Sequence, residues 1–135
     1  MDIAVQENIF EKQNIAYFDD MGREELIGFL KSIKGKTICF TGHRPSHLPW
    51  RYNEDCDICK EFKQKLNTLI KTCIDCGFET FISGVALGFD TFACESVLQF
   101  SKNNKTVELM LAIPCKNQPE KWGETDKKRY DDILS

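Results

Sequence analysis

The residues best suited to chemistry lie in the run Phe81–Asp90, where an apolar segment precedes two glycines four residues apart and then an acidic residue. This pattern predicts a strand, a tight loop and the start of a helix. Gly84 and Gly88 either serve only a turn or allow positive φ angles and close approach of a ligand to the backbone. The N–H groups and dipole of the following helix attract an anion. We therefore predict a phosphate-binding loop here.

Two further segments place polar residues beside predicted strand ends, over 41–45 and directly after 107–113. Arg44 suits bidentate binding of a phosphate. His43 is either a turn residue satisfied by backbone or a polar contact to a base or phosphate. Ligands of α/β sheets bind outside the carboxyl ends of the strands, so the three segments are expected to border one crevice. The predicted ligand-binding residues are Thr41, Gly42, His43, Arg44, Ser83, Gly84, Gly88, Asp90 and Pro114.

Two acidic residues are the candidates for catalysis, which the sequence leaves unassigned. Asp90 either caps the following helix or accepts a hydrogen bond from a ribose hydroxyl. Glu95 lies one turn further on, where it either reaches the crevice as a general acid or base or faces solvent. Arg129 and its helix neighbours Trp122 and Tyr130 are expected to contribute packing and salt bridges instead.

The elements that must position these residues alternate along the chain. Strands are predicted over 37–41, 79–82 and 107–113, and helices over 56–76, 90–101 and 119–134. Such alternation indicates right-handed βαβ units and a parallel sheet covered on both faces. The predicted class is α/β, a Rossmann-like three-layer α/β/α fold with a short parallel sheet. Residues 1–35, with a helix through 23–30, are predicted to be an N-terminal appendage that packs on the domain formed by 36–135.

The amino-acid composition limits the class of protein and the kinds of partner that can be expected. The 135 residues are 41% hydrophobic and 29% charged, as in ordinary globular domains. A formal charge of −3 disfavours broad nucleic-acid binding. No apolar run reaches the roughly 18 residues of a membrane helix, and the N-terminus lacks the features of a signal peptide. We therefore expect a cytoplasmic protein without a membrane partner.

The cysteines raise the alternative of a zinc site. Cys56 and Cys59 form one Cys-x-x-Cys pair, and Cys73 and Cys76 form another. Apolar residues between the pairs recur at helical spacing, which predicts one amphipathic helix over 56–76. Such a helix separates the pairs by about 25 Å, beyond the reach of one tetrahedral ion. No metal site is therefore predicted.

Several ordered motifs together carry a family resemblance. They are Thr41-Gly42-His43-Arg44-Pro45, Ile82 to Asp90 with Ala93 and Glu95, Ile113-Pro114-Cys115 with Gln118 and Trp122, and Arg129-Tyr130. From about Gly35 to Leu134 the chain resembles the YpsA-like branch of the SLOG superfamily, which also includes the DNA-processing protein DprA and the LOG phosphoribohydrolases. The resemblance implies a Rossmann-like nucleotide-binding fold, with the Ser-Gly-x-Ala-x-Gly-x-Asp loop as the ligand cradle.

Three functions follow as expectations. The first is a module that binds a nucleotide or an ADP-ribose-like derivative as a sensor or by sequestering it, with no firm cofactor. The second is LOG-like hydrolysis of a nucleotide N-glycosidic bond through Glu95 or Asp90, although the LOG signature Pro-Gly-Gly-x-Gly-Thr-x-x-Glu is absent. The third is a protein-interaction module that keeps the fold without a ligand. Binding of single-stranded DNA, as in DprA, is disfavoured by the net acidity.

Family members continue into further strands, whereas this chain ends after its third βα unit. If the first strand is central, as is usual, its outer edge is left unpaired, and unpaired edges invite pairing. Residues 1–35 or a second copy of the chain are expected to cover that edge, and a homo-oligomer is therefore expected.

Overall fold

The computed structural model describes residues 4–6, 15–17, 21–33 and 35–135. Its contacts divide the chain into two units, Met1–Lys36 and Thr37–Ser135. The elements of the first unit are strand β1 (Ala4–Gln6), strand β2 (Ile15–Tyr17), which pairs antiparallel with it, and helix α1 (Arg23–Ser32). The helix predicted through 23–30 is confirmed. Residues 1–3, 7–14, 18–20 and 34 of the predicted appendage lie outside the described residues, and the packing of the appendage on the domain stays a prediction.

The second unit alternates strands and helices as the sequence predicts. Its elements are β3 (Thr37–Cys39), α2 (Asp57–Asp75), β4 (Thr80–Ser83), α3 (Phe89–Ser101), β5 (Glu108–Leu111) and α4 (Glu124–Leu134). The three strands are parallel in the order β3-β4-β5. The α/β Rossmann-like class is thus confirmed. The outer edge of β3 carries no strand partner within the described part of the chain.

The helices of this unit share one face of the sheet. Phe81 and Ser83 of β4 are fully buried on that face, and Leu109 and Leu111 of β5 pack there against α3 and α4. The opposite face is more exposed, and Met110 is 48% exposed there. The crossover from β3 to β4 and the crossover from β4 to β5 move in the same direction across the sheet. Right-handed crossovers in one direction place their helices, α2 and α3, on the same face. Residues 37–135 therefore do not supply the helices that were expected on the second face.

Helix α2 confirms the single-helix interpretation of the cysteine pairs. Its buried apolar residues recur every three or four positions and are Cys59, Phe62, Leu66, Ile70 and Cys73. Cys56 is the N-cap and Cys76 the C-cap, so the two pairs lie at opposite ends of the helix. Burial, together with a smaller effect of the neighbouring Cys76, raises the pKa of Cys73 to about 12. That thiol is therefore protonated and unreactive near neutral pH.

The last helix is shorter than predicted. Helix α4 begins at Glu124 with Gly123 as its N-cap, not at Pro119. The preceding residues form successive turns, in which the Gln118 N–H donates to the Cys115 carbonyl and the Trp122 N–H to the Pro119 carbonyl. Among the residues the structure describes, no helix is long and apolar enough to cross a membrane.

Candidate functional site

The loop between β4 and α3 is held by its own hydrogen bonds. The Ser83 hydroxyl accepts from the Val85 N–H at 3.2 Å and donates to the Asp90 carbonyl at 3.3 Å. The Thr91 hydroxyl donates to the Ala86 carbonyl at 2.8 Å. Ser83, predicted to contact a ligand, is fully buried and uses its hydroxyl inside the loop. The loop is consequently rigid before any ligand arrives.

Positive φ angles occur at Gly88 and Val85, not at Gly84. Gly88 has φ 91°, as its glycine suggests, but Val85 has φ 58°. A β-branched residue is strained in this region. Val85 is fully buried in a cluster with Cys94, Tyr130 and Ile133, and this packing holds it there. Strain of this kind clusters at binding and active sites.

Two glycines lock the loop against the segment that follows β3. A Cβ on Gly88 would lie 2.6 Å from the His43 carbonyl oxygen, and one on Gly42 would overlap the Phe89 ring. The Phe89 N–H donates to the His43 carbonyl at 3.1 Å. One of the α3 N–H groups that were predicted to bind an anion is therefore already hydrogen-bonded to a backbone carbonyl. Gly88 serves the close approach of two loops.

Asp90 lies in the first turn of α3 with its carboxyl turned into the protein. Its Oδ1 is buried and has no hydrogen-bond partner among the described residues. Its Oδ2 lies 3.5 Å from the position that a Cβ on Gly84 would take. Burial raises the pKa of Asp90, although a hydrogen bond from the Ala86 N–H and the charge of Arg44 act in the opposite direction. The carboxyl is thus partly deprived of solvent without a fixed counter-ion.

Gln118 closes the other side of Gly84. Its Nε2 donates to the Gly84 carbonyl at 3.2 Å, which leaves Oε1 as an acceptor. That oxygen is buried and also lacks a partner within the described part of the chain. The predicted meeting of the 83–90 and 114–118 loops is therefore observed. The sequence pointed to Gln118 only through the resemblance; a long amide side chain four residues after the strand-ending Pro114 was the available signal.

The other predicted ligand-binding residues lie on the surface at the carboxyl ends of β3 and β5. Thr41, Gly42, His43 and Arg44 are exposed after β3, and Pro114 is exposed after β5. The His43 ring lies 6.0 Å from the His47 ring. Arg44 is close enough for its charge to act on Asp90. The three loops thus meet as predicted, and their role in binding stays a prediction.

Glu95 faces away from Asp90 and is held by a cation. Arg129 Nε donates to both carboxylate oxygens of Glu95 at 3.1 Å. The same guanidinium donates to both oxygens of Glu54, at 2.7 and 3.0 Å. The predicted salt-bridge role of Arg129 is confirmed, as is the packing of Trp122, which meets Tyr130 edge to face at 5.5 Å. Sequence reasoning missed Glu54 because it lies 75 residues away in the chain.

Comparison with known protein families identifies the family to which this chain belongs. The model of the YspA SLOG family matches residues 38–135, which include all three loops. The chain belongs to this family. The resemblance seen in the sequence is thereby confirmed.

The YspA SLOG chain also matches curated bacterial proteins. A UPF0398 protein of Bacillus velezensis is 25% identical over 100 residues, which cover 74% of this chain and 54% of the relative. A UPF0398 protein of Halalkalibacterium halodurans is 28% identical over 102 residues, covering 73% of this chain and 52% of the relative. The chain spans about half the length of the curated relatives it matches.

The raised pKa of Asp90 predicts an unusual stability effect. A carboxyl whose pKa is higher in the folded state favours folding when protonated, and that contribution is lost as pH rises through the folded pKa. Asp90→Asn keeps the shape but removes the charge. We expect the variant to unfold at a higher temperature than the wild type at pH 7, with the difference shrinking in acid. Thermal melts from pH 3 to 8 measure this; a variant that is less stable at pH 7 contradicts it.

Proposed function

We propose that the crevice around Gly84 binds a nucleotide or a nucleotide derivative such as ADP-ribose, as a sensor or by sequestering it. Asp90 and Gln118 bind the ribose hydroxyls, and Arg44 binds a phosphate. One observation carries the proposal: Asp90 and Gln118 both approach Gly84, and each has a buried acceptor oxygen without a hydrogen-bond partner among the described residues.

The unpaired atoms specify what the ligand must supply. Asp90 Oδ1 and Gln118 Oε1 are both acceptors, and buried polar atoms nearly always have hydrogen-bond partners. The crevice therefore favours a group with two neighbouring donors. The 2′- and 3′-hydroxyls of a ribose form such a pair. A phosphate, which brings only acceptors at neutral pH, does not suit this point, and Asp90 would repel it.

Phosphate suits the exposed rim instead. Arg44 is exposed on the segment after β3, and its charge reaches Asp90. A guanidinium grips phosphate through two parallel hydrogen bonds. In this proposal the 5′-phosphate of a nucleotide whose ribose lies in the crevice binds to Arg44. The phosphate therefore binds to Arg44 rather than to the N–H groups of the 83–90 loop.

Binding requires Gln118 to move, because the unpaired oxygens are buried. Its side chain is long and half-buried, and a single bond of 3.2 Å ties it to the Gly84 carbonyl. The loop itself is fixed by Ser83 and Thr91. In this proposal the Gln118 side chain rotates to admit the ligand and then accepts a hydrogen bond from one of its hydroxyls. The loop behind it is preorganised, which limits the entropy lost on binding.

Binding without turnover is the function best supported. Glu95, the candidate general acid or base, forms a bidentate ion pair with Arg129. Five residues separate it from Asp90, which places the two about 140° apart around the helix axis. A pair of cooperating carboxylates is therefore not formed in the crevice.

Thermal-shift and calorimetric titration with nucleoside monophosphates, ADP-ribose and NAD tests the proposal. A ligand at 100 times its dissociation constant adds about 2.7 kcal/mol of stability. Arg44→Ala is expected to weaken binding at least tenfold, since a charge-assisted hydrogen bond is lost. Lys60→Ala, which removes an exposed cation on α2, is the matched control and should not alter binding. Equal loss in both variants, or no binding by any compound, refutes the proposal.

A further inference from the structure

A second concavity lies beside the loop, between the segment after β3 and the start of α4. Its volume is about 220 Å³. We name it the Tyr52 pocket. Its walls include Pro45, Tyr52, Glu54, Leu87, Gly88 and Asp126. Drug-sized ligands need cavities of about 300 Å³ or more, so this one suits a single ring system that belongs to a larger molecule.

Tyr52 presents an aromatic ring to solvent on a rigid support. The side chain is 71% exposed, the most exposed of the large hydrophobic residues described. The backbone around it is pinned by turns, in which the Arg51 N–H donates to the Leu48 carbonyl at 3.0 Å and the Glu54 N–H to the Tyr52 carbonyl at 3.1 Å. Leu48 and Trp50 anchor this segment in the core. An exposed aromatic on a fixed turn suits stacking.

The opposite wall offers one carboxylate for hydrogen bonding. Glu54 in the pocket is neutralised by Arg129 and Lys63. Asp126, in the first turn of α4, is partly buried and forms no ion pair or hydrogen bond with the residues that the structure describes. The wall therefore provides a carboxylate that can accept from N–H donors.

The pocket adjoins the proposed nucleotide crevice through shared residues. Leu87 and Gly88 line it and belong to the same loop as Gly84 and Asp90. A Cβ on Gly88 would lie 3.1 Å from the Cα of Arg44, the proposed phosphate ligand. The Tyr52 pocket is therefore contiguous with the loop that borders the crevice.

We propose that the Tyr52 pocket holds the base of the bound nucleotide. The base stacks on the Tyr52 ring between Pro45 and Leu87, and its edge donates N–H hydrogen bonds to Asp126. This inference rests on the proposed function, since it names the base-binding subsite of the same site. Base–aromatic stacking tolerates every base, and the carboxylate adds a preference for bases with an amino group.

The test compares ligands with and without a base in calorimetric titrations. The probes are AMP, GMP, purine riboside monophosphate and ribose 5-phosphate, and the variants are Tyr52→Ala, Tyr52→Phe and Asp126→Asn. We expect Tyr52→Ala to weaken the tighter of AMP and GMP roughly 10- to 100-fold. Tyr52→Phe should retain the affinity of the wild type because it keeps the ring. Asp126→Asn should reduce the advantage of AMP over purine riboside monophosphate, which lacks the amino group. Ribose 5-phosphate should bind all four proteins equally.

The outcomes separate this inference from the function on which it rests. If AMP and GMP bind and Arg44→Ala weakens them, but Tyr52→Ala has no effect, the base-binding subsite is refuted and the proposed function stands. Equal weakening of ribose 5-phosphate and AMP by Tyr52→Ala also refutes the subsite, because it points to a distorted crevice. If no probe binds the wild type, the proposed function itself fails.

Discussion

Replacing Gly88 with alanine is expected to lower the free energy of unfolding by about 3 kcal/mol or more. Gly88 has φ 91° and ψ −128°, a backbone region that only glycine occupies without strain. The added Cβ would also lie 2.6 Å from the His43 carbonyl oxygen. That oxygen cannot retreat, because it accepts the Phe89 N–H. Strain and collision therefore add.

Urea unfolding of the purified variant measures this effect, and Gly84→Ala is the matched control in the same loop. Gly84 has an ordinary φ, and its added Cβ would meet Asp90 and Ala112 only at 3.5 and 3.6 Å. We expect the control to change stability by less than about 1 kcal/mol. Gly88→Ala with wild-type stability would show that the two loops are not locked together.

Gly84→Ala places its methyl in front of Asp90, so this stable variant should also bind nucleotide poorly.

Removal of the Arg129 side chain is expected to have the second-largest effect, a loss of about 2 kcal/mol. Arg129 joins Glu54, from the segment before α2, to Glu95 of α3. Its side chain is 23% exposed, against 32% for Glu54 and 43% for Glu95. Fully buried pairs lose about 3–5 kcal/mol and exposed pairs about 0–1 kcal/mol when broken. The half-buried network lies between these limits.

Chemical unfolding of Arg129→Ala at pH 7 measures the loss, with Lys128→Ala as the control from the next position of α4. Lys128 pairs with Asp132 at 3.0 Å on the solvent side, with side chains 77% and 66% exposed. Its removal should change stability by less than about 0.5 kcal/mol. Equal effects of the two substitutions would exclude a bracing role for Arg129.

The pH dependence of the Arg129 effect supplies a second signature. Burial alone would raise the pKa of Glu54, but the hydrogen bonds from Arg129 and Lys63 outweigh it and lower the pKa. A lowered pKa contributes stability above the unfolded pKa, and this is lost as pH falls through the folded pKa. The deficit of Arg129→Ala should therefore shrink in acid. A deficit that stays constant below pH 4 would mean that packing, not charge, explains it.

The sequence predicted the elements whose signal is local. Helix α2 follows from the spacing of Phe62, Leu66 and Ile70, and the same spacing resolved the meaning of the cysteine pairs. The meeting of three loops follows from the rule that parallel strands end at one edge. These features follow from hydrophobic periodicity and from the alternation of strands and helices, and both can be recognised in a single sequence.

The sequence did not predict features that depend on packing between distant segments. The positive φ of Val85 arises because its side chain is buried among residues of α3 and α4. The helices share one face of the sheet because both crossovers step the same way, which requires the strand order. The Glu54–Arg129 pair and the Tyr52 pocket join residues far apart in the chain. None of these has a local pattern.

An amide NMR titration of the labelled protein with the tightest-binding nucleotide tests the central claim most directly. The account predicts that shifted resonances cluster at Gly84 to Asp90, Arg44 and the Gln118 side-chain amide, and that Asp90→Asn removes them while the protein stays folded. Shifts confined to residues outside these loops, or shifts that persist in Asp90→Asn, would contradict a nucleotide site in this crevice.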